Sequence, residues 1–361
     1  MRIAVIGTGL VGGSIGLALA GADHEVVGYD LDAERLGRAK ALGALDEVAG
    51  SVQDAARGAD IVFVAVPVGA IVDTVIDALD AGAGFVTDVG SVKGPVIAAV
   101  ERARPDAAAR FLGGHPMAGS EQDGIDAARR DLFVGATWVL TPTTTTDDDA
   151  HARLRNVLRS FDAEVVTVTP DHHDVLVAFV SHVPQLASST LMDVATTHEE
   201  EHRALLQLAA GGFRDMTRIA ASHPAIWLDI LASNRDAILT ALDAYLEALG
   251  AARTLVANGD RAGLDVLLAR ASAARRNLPV GVSMADDLVE LRIPVPDRPG
   301  VMAEVLTLAG RLGVNVADIE VAHSLEGGAG VLVVVVGASD ADRYEAALHD
   351  IGYRTSRTGL S

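Results

Sequence analysis

Three glycines, one carboxylate and one histidine carry the first chemical signal in this chain. Gly7, Gly9 and Gly12 stand in "GTGLVG" with the spacing G-x-G-x-x-G. Gly7 suits a tight turn, Gly9 lets a pyrophosphate approach the backbone, and Gly12 lets a helix pack close to a strand. Leu10 and Val11 lie between them and open that helix, whose free N–H groups favour phosphate. The spacing gains meaning from its context, an apolar strand "RIAVI" before it and a helical run after it. Asp30 ends the next strand, "HEVVGYD", eighteen residues past Gly12. A carboxylate there accepts hydrogen bonds from a ribose 2′-hydroxyl and repels a 2′-phosphate, so NAD is the expected cofactor. The plainer alternative is a glycine turn with no ligand and a surface aspartate.

Other loops point to the same place. "AVPVGAI" puts Val66 and Pro67 after an apolar strand, and "DVGSVKG" does the same for Ser91 and Lys93. "GGHPMAGSEQDG" sets His115 among glycines, in a segment that reads as a flexible loop short of core side chains. Open α/β sheets bind ligands outside the carboxyl ends of their strands. Ser91 and His115 are therefore expected at the nicotinamide end of one cleft. A neutral imidazole, with a reference pKa of about 6.5, can take the hydroxyl proton as hydride leaves a carbinol carbon. Ser91 would hold the imidazole tautomer or bind the same oxygen. Otherwise His115 is a loop histidine bonded to backbone.

The elements that must position these residues follow from patterning. Residues 1–170 alternate near-continuous apolar strands with helices, which predicts a parallel Rossmann sheet covered on both faces. "TWVLTP" and "AEVVTVT" read as its last strands, and the aspartates of "TPTTTTDDDAH" as a turn and a helix cap. Residues 171–280 have helical spacing rich in alanine and leucine, with Pro184 expected to kink one helix. Residues 288–361 read as βαββαβ, a small ferredoxin-like unit. Two or three domains suit 361 residues. Aromatics are only 4%, so aliphatic cores are expected. The net charge of −20 disfavours nucleic acid and anionic membranes, and an anionic substrate would need local arginines. There is no cysteine, hence no disulfide or thiolate chemistry. No apolar run is read as long enough for a membrane span and no leader is read, so a cytoplasmic protein is expected.

Two motifs look like metal sites. "HEEEH", 198–202, fits H-E-x-x-H, yet it lies in a polar stretch without an evident third ligand. "DHHD", 171–174, reads as a helix start with Asp171 as N-cap, its adjacent histidines pointing apart. No metal is expected.

"GTGLVGGSIG", "DVGSVK", "GGHPMAGSE", "SHVPQ", "GGFRDMTRIA" and "HPAIWLDI" together resemble the prephenate dehydrogenase family of tyrosine biosynthesis, in order, over residues 1 to about 280. The tail "VPDRPGVMAEV…GVNVADIEV" resembles an ACT domain, a module that binds amino-acid effectors. The resemblance implies a Rossmann domain, an all-α domain that forms a homodimer, and an ACT regulatory domain. It implies NAD-dependent oxidative decarboxylation of prephenate to 4-hydroxyphenylpyruvate. His115 then matches the catalytic histidine and Ser91 the serine that supports it. Arg218 matches an arginine that binds a substrate carboxylate, a task suited to a bidentate guanidinium. Ser120 and Glu121 match positions on the substrate or gating side, though Glu121 equally suits a helix start. His182 matches the histidine of "SH-x-P" and equally suits a structural role at the kink. Gly211 and Gly212 would let backbone approach the substrate. Trp227 matches a pocket aromatic or is a buried helix tryptophan.

One departure stands out. Gln185 occupies a position where many members carry a second histidine, near the substrate side chain. Arogenate, an amino acid where prephenate is a keto acid, is therefore an alternative substrate. In the ACT-like tail, Gly300 and Asn315 fall where an amino-acid effector is commonly met. A dehydrogenase of similar architecture with a lysine base, and a non-catalytic amino-acid sensor, are competing readings. Both lysines, Lys40 and Lys93, lie far from the helical domain in sequence, and the intact motif residues oppose the sensor.

Overall fold

The computed structural model describes residues 1–118, 124–196, 211–222, 224–276, 288–296, 298–323 and 329–359. They form two compact units, Met1–Ala248 and Leu249–Ser361.

The first unit begins as strand and helix alternate: β1 (Arg2–Ile6), α1 (Leu10–Leu19), β2 (Glu25–Tyr29), α2 (Ala33–Ala41), β3 (Glu47–Val48), α3 (Val52–Ala56), β4 (Ile61–Val64), α4 (Val68–Asp80), β5 (Val86–Asp88), α5 (Gly94–Ala103), β6 (Phe111–Pro116), β7 (Thr137–Thr141), α6 (Asp148–Arg159) and β8 (Glu164–Thr167). Among the described residues these strands make an eight-stranded sheet, β3-β2-β1-β4-β5-β6-β7-β8. The order reverses between β1 and β4, the crevice where such sheets bind ligands. Buried Ile3, Val5, Ile61 and Phe63 face one helical layer, and Ala4, Ile6, Val62 and Val64 face the other. Cover on both faces explains why these strands are continuously apolar.

Three expectations are corrected here. The sheet is not wholly parallel, because β7 runs antiparallel to β6. The core is not wholly aliphatic. Trp138 of β7 is buried against the rings of Phe63, Phe133 and Phe161, an aromatic cluster within the core. The "GGHP" segment is not a loop but the end of β6. Its glycines provide room rather than flexibility. A Cβ on Gly113 would sit 2.6 Å from Thr141 Oγ1, and one on Gly114 2.8 Å from the Asp88 carbonyl oxygen.

Helices complete the unit: α7 (Pro170–Val177), a π-turn (Ala178–His182), α8 (Val183–Thr196), α9 (Gly211–Thr217), a 3-10 turn (Arg218–Ala221), α10 (Pro224–Ser233) and α11 (Arg235–Ala257), which ends in the second unit. The expected break at Pro184 takes the form of the π-turn just before it. Proline cannot donate its missing N–H, and one extra residue in the turn accommodates that loss. The continuous stretch Pro170–Thr196 is, contrary to expectation, long and apolar enough to cross a membrane by length and composition. Within the unit it carries buried His173, Asp174, His182, Gln185 and Ser188.

The second unit holds α12 (Arg261–Arg276), β9 (Leu288–Pro296), α13 (Val301–Leu312), β10 (Val316–His323), β11 (Ala329–Gly337), α14 (Ala338–Asp350) and β12 (Ser356–Gly359). Its four antiparallel strands run β10-β11-β9-β12, the ferredoxin-like order. Val289, Leu291, Ile293, Leu332, Val334 and Val336 alternate inward, against Val305 of α13 and Tyr344 of α14.

Candidate active site

The glycine loop has the geometry that its sequence suggests. Gly7 has φ +89°, and a Cβ there would lie 2.4 Å from the Ala65 carbonyl oxygen and 3.2 Å from Val66. A Cβ on Gly12 would lie 1.9 Å from the Gly7 carbonyl oxygen. Gly9, the N-cap of α1, would meet nothing within 4 Å. Two glycines are thus required by the fold, and the third leaves open space at the helix N-terminus carrying Leu10 and Val11. That space fits a pyrophosphate. Pro67 is the N-cap of α4, beside it along the sheet edge.

Asp30 is 8% exposed and already engaged. Its Oδ2 accepts from Thr8 N at 2.7 Å and Thr8 Oγ1 at 3.0 Å, and its Oδ1 from Asp32 N at 2.9 Å. Arg35 lies 3.4 Å from Oδ1. The carboxylate therefore fastens the glycine loop to the end of β2.

His115, half-buried at the carboxyl end of β6, donates or accepts through Nδ1 with His173 Nε2 at 2.9 Å. The two rings meet edge to face with centroids 5.1 Å apart. His173 Nδ1 in turn contacts Asp174 Oδ1 at 2.8 Å. Asp174 also accepts from Lys93 N and Gly94 N, both at 2.8 Å, so it caps α5 from another element. A carboxylate accepting from two backbone N–H groups must accept from His173 as well. The His173 tautomer that donates from Nδ1 to this carboxylate presents a bare Nε2, which accepts from His115 Nδ1–H. His115 is left with an unprotonated Nε2. Burial first, then His173, Lys93 and His182, hold the His115 pKa well below the ordinary 6.5. The imidazole is therefore neutral, with Nε2 as its acceptor nitrogen.

This corrects two expectations. "DHHD" is more than a helix start: Thr169 is the N-cap of α7, and His173 and Asp174 belong to the site. The imidazole partner of His115 among the described residues is His173 rather than Ser91. Ser91 lies half-buried in the loop between β5 and α5. No apolar periodicity in the sequence marked His173 and Asp174. The buried residues His173, Asp174 and Val177 share one side of α7, and the apolar residues of the same turns, Val175 and Leu176, are exposed.

His182 is buried beside this relay. Its Nδ1 faces Asn234 Nδ2 at 3.2 Å, and the same amide nitrogen donates to the Asp174 carbonyl at 2.9 Å. Burial lowers the His182 pKa to about 4, so it too is neutral. Trp227 meets its ring edge to face, centroids 6.1 Å apart. Gln185 and Ser188 follow along α8, both buried. Gln185 Nε2 donates to Ser189 Oγ at 3.3 Å, while Gln185 Oε1 and Ser188 Oγ have no partner among the described residues. Arg218 opens the 3-10 turn, exposed, in a segment packed against α8. Gly211 starts α9, and a Cβ on it or on Gly212 would meet no protein atom within 4 Å. Ser120 and Glu121, and the "HEEEH" segment, lie outside the described residues.

In the second unit Gly300 is the N-cap of α13 in a left-handed conformation, φ +91°. Asn315 is exposed just before β10. Near them Arg298 donates to Glu304 Oε2 at 2.9 Å, and Tyr353 OH does so at 3.0 Å.

Comparison with known proteins agrees along the chain. The family model for the nucleotide-binding domain of prephenate dehydrogenase matches residues 15–167. That for its dimerization domain matches 169–270, and an ACT domain model matches 289–352. The prephenate dehydrogenase of Bacillus subtilis (strain 168) is 34% identical, over 95% of this chain and 94% of its own. The A. aeolicus prephenate dehydrogenase in complex with hydroxyphenyl propionate and NAD+ superposes with a TM-score of 0.71 at 29% identity, covering 76% of this chain and 97% of the other. The Synechocystis arogenate dehydrogenase gives 0.69 at 31% identity, covering 76% and 99%.

Proposed function

The chain belongs to the prephenate dehydrogenase family, and we propose that it catalyses the NAD-dependent oxidative decarboxylation of prephenate to 4-hydroxyphenylpyruvate, with His115 as its base and His173 and Asp174 orienting that base. The supporting observation is the chain of hydrogen bonds from Asp174 through His173 to His115. NAD supplies the hydride acceptor, held by Gly7, Gly9, Leu10, Val11, Gly12 and Asp30, with Val66, Pro67 and Ser91 along the same edge.

His115 Nε2 takes the proton of the ring C4 hydroxyl as hydride leaves C4. The electron pair of the bond to the leaving carboxylate moves through the ring to the C4 oxygen, which takes the proton back from His115. Carbon dioxide departs and the ring becomes aromatic, so the side chains need only place the substrate and hold one proton. Arg218 binds a substrate carboxylate, offsetting the acidic background. Ser91 binds the C4 oxygen, and His182, Gln185, Gly211, Ser120 and Glu121 border the substrate. The domain division 1–170, 171–280 and 288–361, a homodimer, a cytoplasmic location, and an amino-acid effector at Gly300 and Asn315 belong to this proposal. The exposed apolar residues Phe179, Val180, Val194 and Leu228 of the helical segment support the dimer.

Gln185 favours a second reading for the substrate side chain. Its buried carbonyl oxygen has no partner among the described residues, and an ammonium group, as in arogenate, is a donor that could meet it. The test is reduced-cofactor formation with prephenate and arogenate in parallel, with His115→Asn alongside. Turnover of prephenate lost in His115→Asn is the expected result. Turnover of arogenate alone would move the enzyme to the other substrate, and full activity in His115→Asn would sink the base assignment.

A further inference from the structure

Lys93 is one of two lysines in the chain and is completely buried. Its ammonium group takes no part in the steps above. Nζ donates to the carboxylate of Asp88, also completely buried, and to the Gly114 carbonyl at 2.8 Å. Asp88 Oδ1 accepts from Gly114 N at 3.3 Å, and Oδ2 from Gly90 N at 2.9 Å. The pair therefore grips both backbone groups of Gly114, and the next residue is His115. The backbone N–H of Lys93 goes to Asp174, the carboxylate at the far end of the histidine relay. One residue thus ties β5, β6 and α7 together at the carboxyl edge of the sheet.

Stability alone gives this arrangement a weak rationale. Taking both charges out of water is costly, and apolar residues of the same volume often fill such a place at no loss. We propose that the Asp88–Lys93 pair is a positioning device for His115, clamping the backbone that carries the imidazole and setting a fixed cation close to it. The inference rests on His115 being the base.

Among the described residues, the titratable groups near that imidazole are His173 and Asp174 from α7, His182 from the π-turn, Asp88 from β5 and Lys93 ahead of α5. After burial and His173, Lys93 is the next cause that disfavours the protonated ring. Without the lysine charge, His115 holds its proton up to a higher pH. The acid limb of the rate profile then moves upward.

The experiment compares Lys93→Met, Lys93→Gln and Asp88→Asn in the full-length enzyme. The readouts are the pH profile of kcat/KM and the titration of isotope-labelled His115. Lys93→Gln keeps a donor for Gly114 and loses the charge; Lys93→Met loses both. Both should raise the acid limb by about one pH unit, and Lys93→Gln should keep more of kcat. Asp88→Asn leaves the cation unbalanced and should not raise the limb. A limb that stays at the wild-type position in both lysine variants overturns the proposal. So does an equal rise in all three variants, the sign of general loosening. If Lys93→Met fails to fold, Lys93→Gln and Asp88→Asn decide by the same criteria. The histidine titration reads the device even if His115→Asn proves active, which separates this failure from failure of the base assignment.

Discussion

At the scale of single residues, the chemistry depends on which nitrogen of His115 holds a proton. A ring alone in water exchanges its tautomers freely. Here Asp174 receives two backbone N–H groups and a histidine, so the direction of donation is fixed along the relay. His115→Asn is expected to lower kcat by about 10²- to 10⁴-fold, the usual contribution of a positioned base. His173→Ala removes the partner of Nδ1 but not the base. Steady-state kinetics should show kcat falling by roughly tenfold or more, with KM for NAD little changed. A fall in NAD affinity without a fall in kcat would contradict the relay.

At the scale of elements, the glycines separate by what surrounds them. Gly9 faces open space, whereas a Cβ on Gly114 would lie 2.8 Å from the Asp88 carbonyl oxygen and 3.1 Å from the Trp138 indole nitrogen. Gly9→Ala should leave Tm nearly unchanged and weaken NAD binding, because its methyl group enters only the cofactor space. Gly114→Ala should lose about 1–3 kcal/mol of stability through overpacking and displace His115 along with β6. Thermal unfolding and NAD titration on the two variants distinguish these outcomes. Equal effects would mean that the loop and the strand end are not the separate devices described.

For the whole molecule, protonation couples the site to stability. Burial lowers the His182 pKa from the ordinary 6.5 to about 4, and His115 is shifted in the same direction. The unfolded chain therefore binds more protons between these values, so stability falls as pH drops from about 6.5 toward 4. Above 6.5 these two histidines add no pH dependence. Tm measured across that window should decline on acidification, and His182→Asn should flatten the decline. In the second unit, the left-handed Gly300 leaves the start of α13 without a side-chain cap. Gly300→Ala strains that turn by roughly 1–2 kcal/mol, and it should abolish the response of turnover to added tyrosine or phenylalanine. An unaltered response would place the effector elsewhere.

Sequence by itself determined the periodic and the local. Near-continuous apolar strands between helices can bury both faces only in a covered sheet, and G-x-G-x-x-G after a strand can only turn tightly into a helix. Gly7 and Gly12 were legible for that reason, as was the βαββαβ order of the tail. Tertiary structure decided what depends on contacts between distant segments. His115 and His173 are fifty-eight positions apart, and no local pattern announces that their nitrogens meet. "DHHD" looked like a helix start because adjacent side chains diverge on an isolated helix. Packing against α5 and β6 selected two of the four residues and turned them inward. The glycines around His115 were misread for a similar reason: in a sequence a glycine signals freedom, whereas here a neighbouring strand denies space to a Cβ. Burial of Lys93 was equally hidden: its carboxylate partner Asp88 is only five residues away, but nothing local shows that the Gly114 carbonyl of another strand also meets the ammonium group.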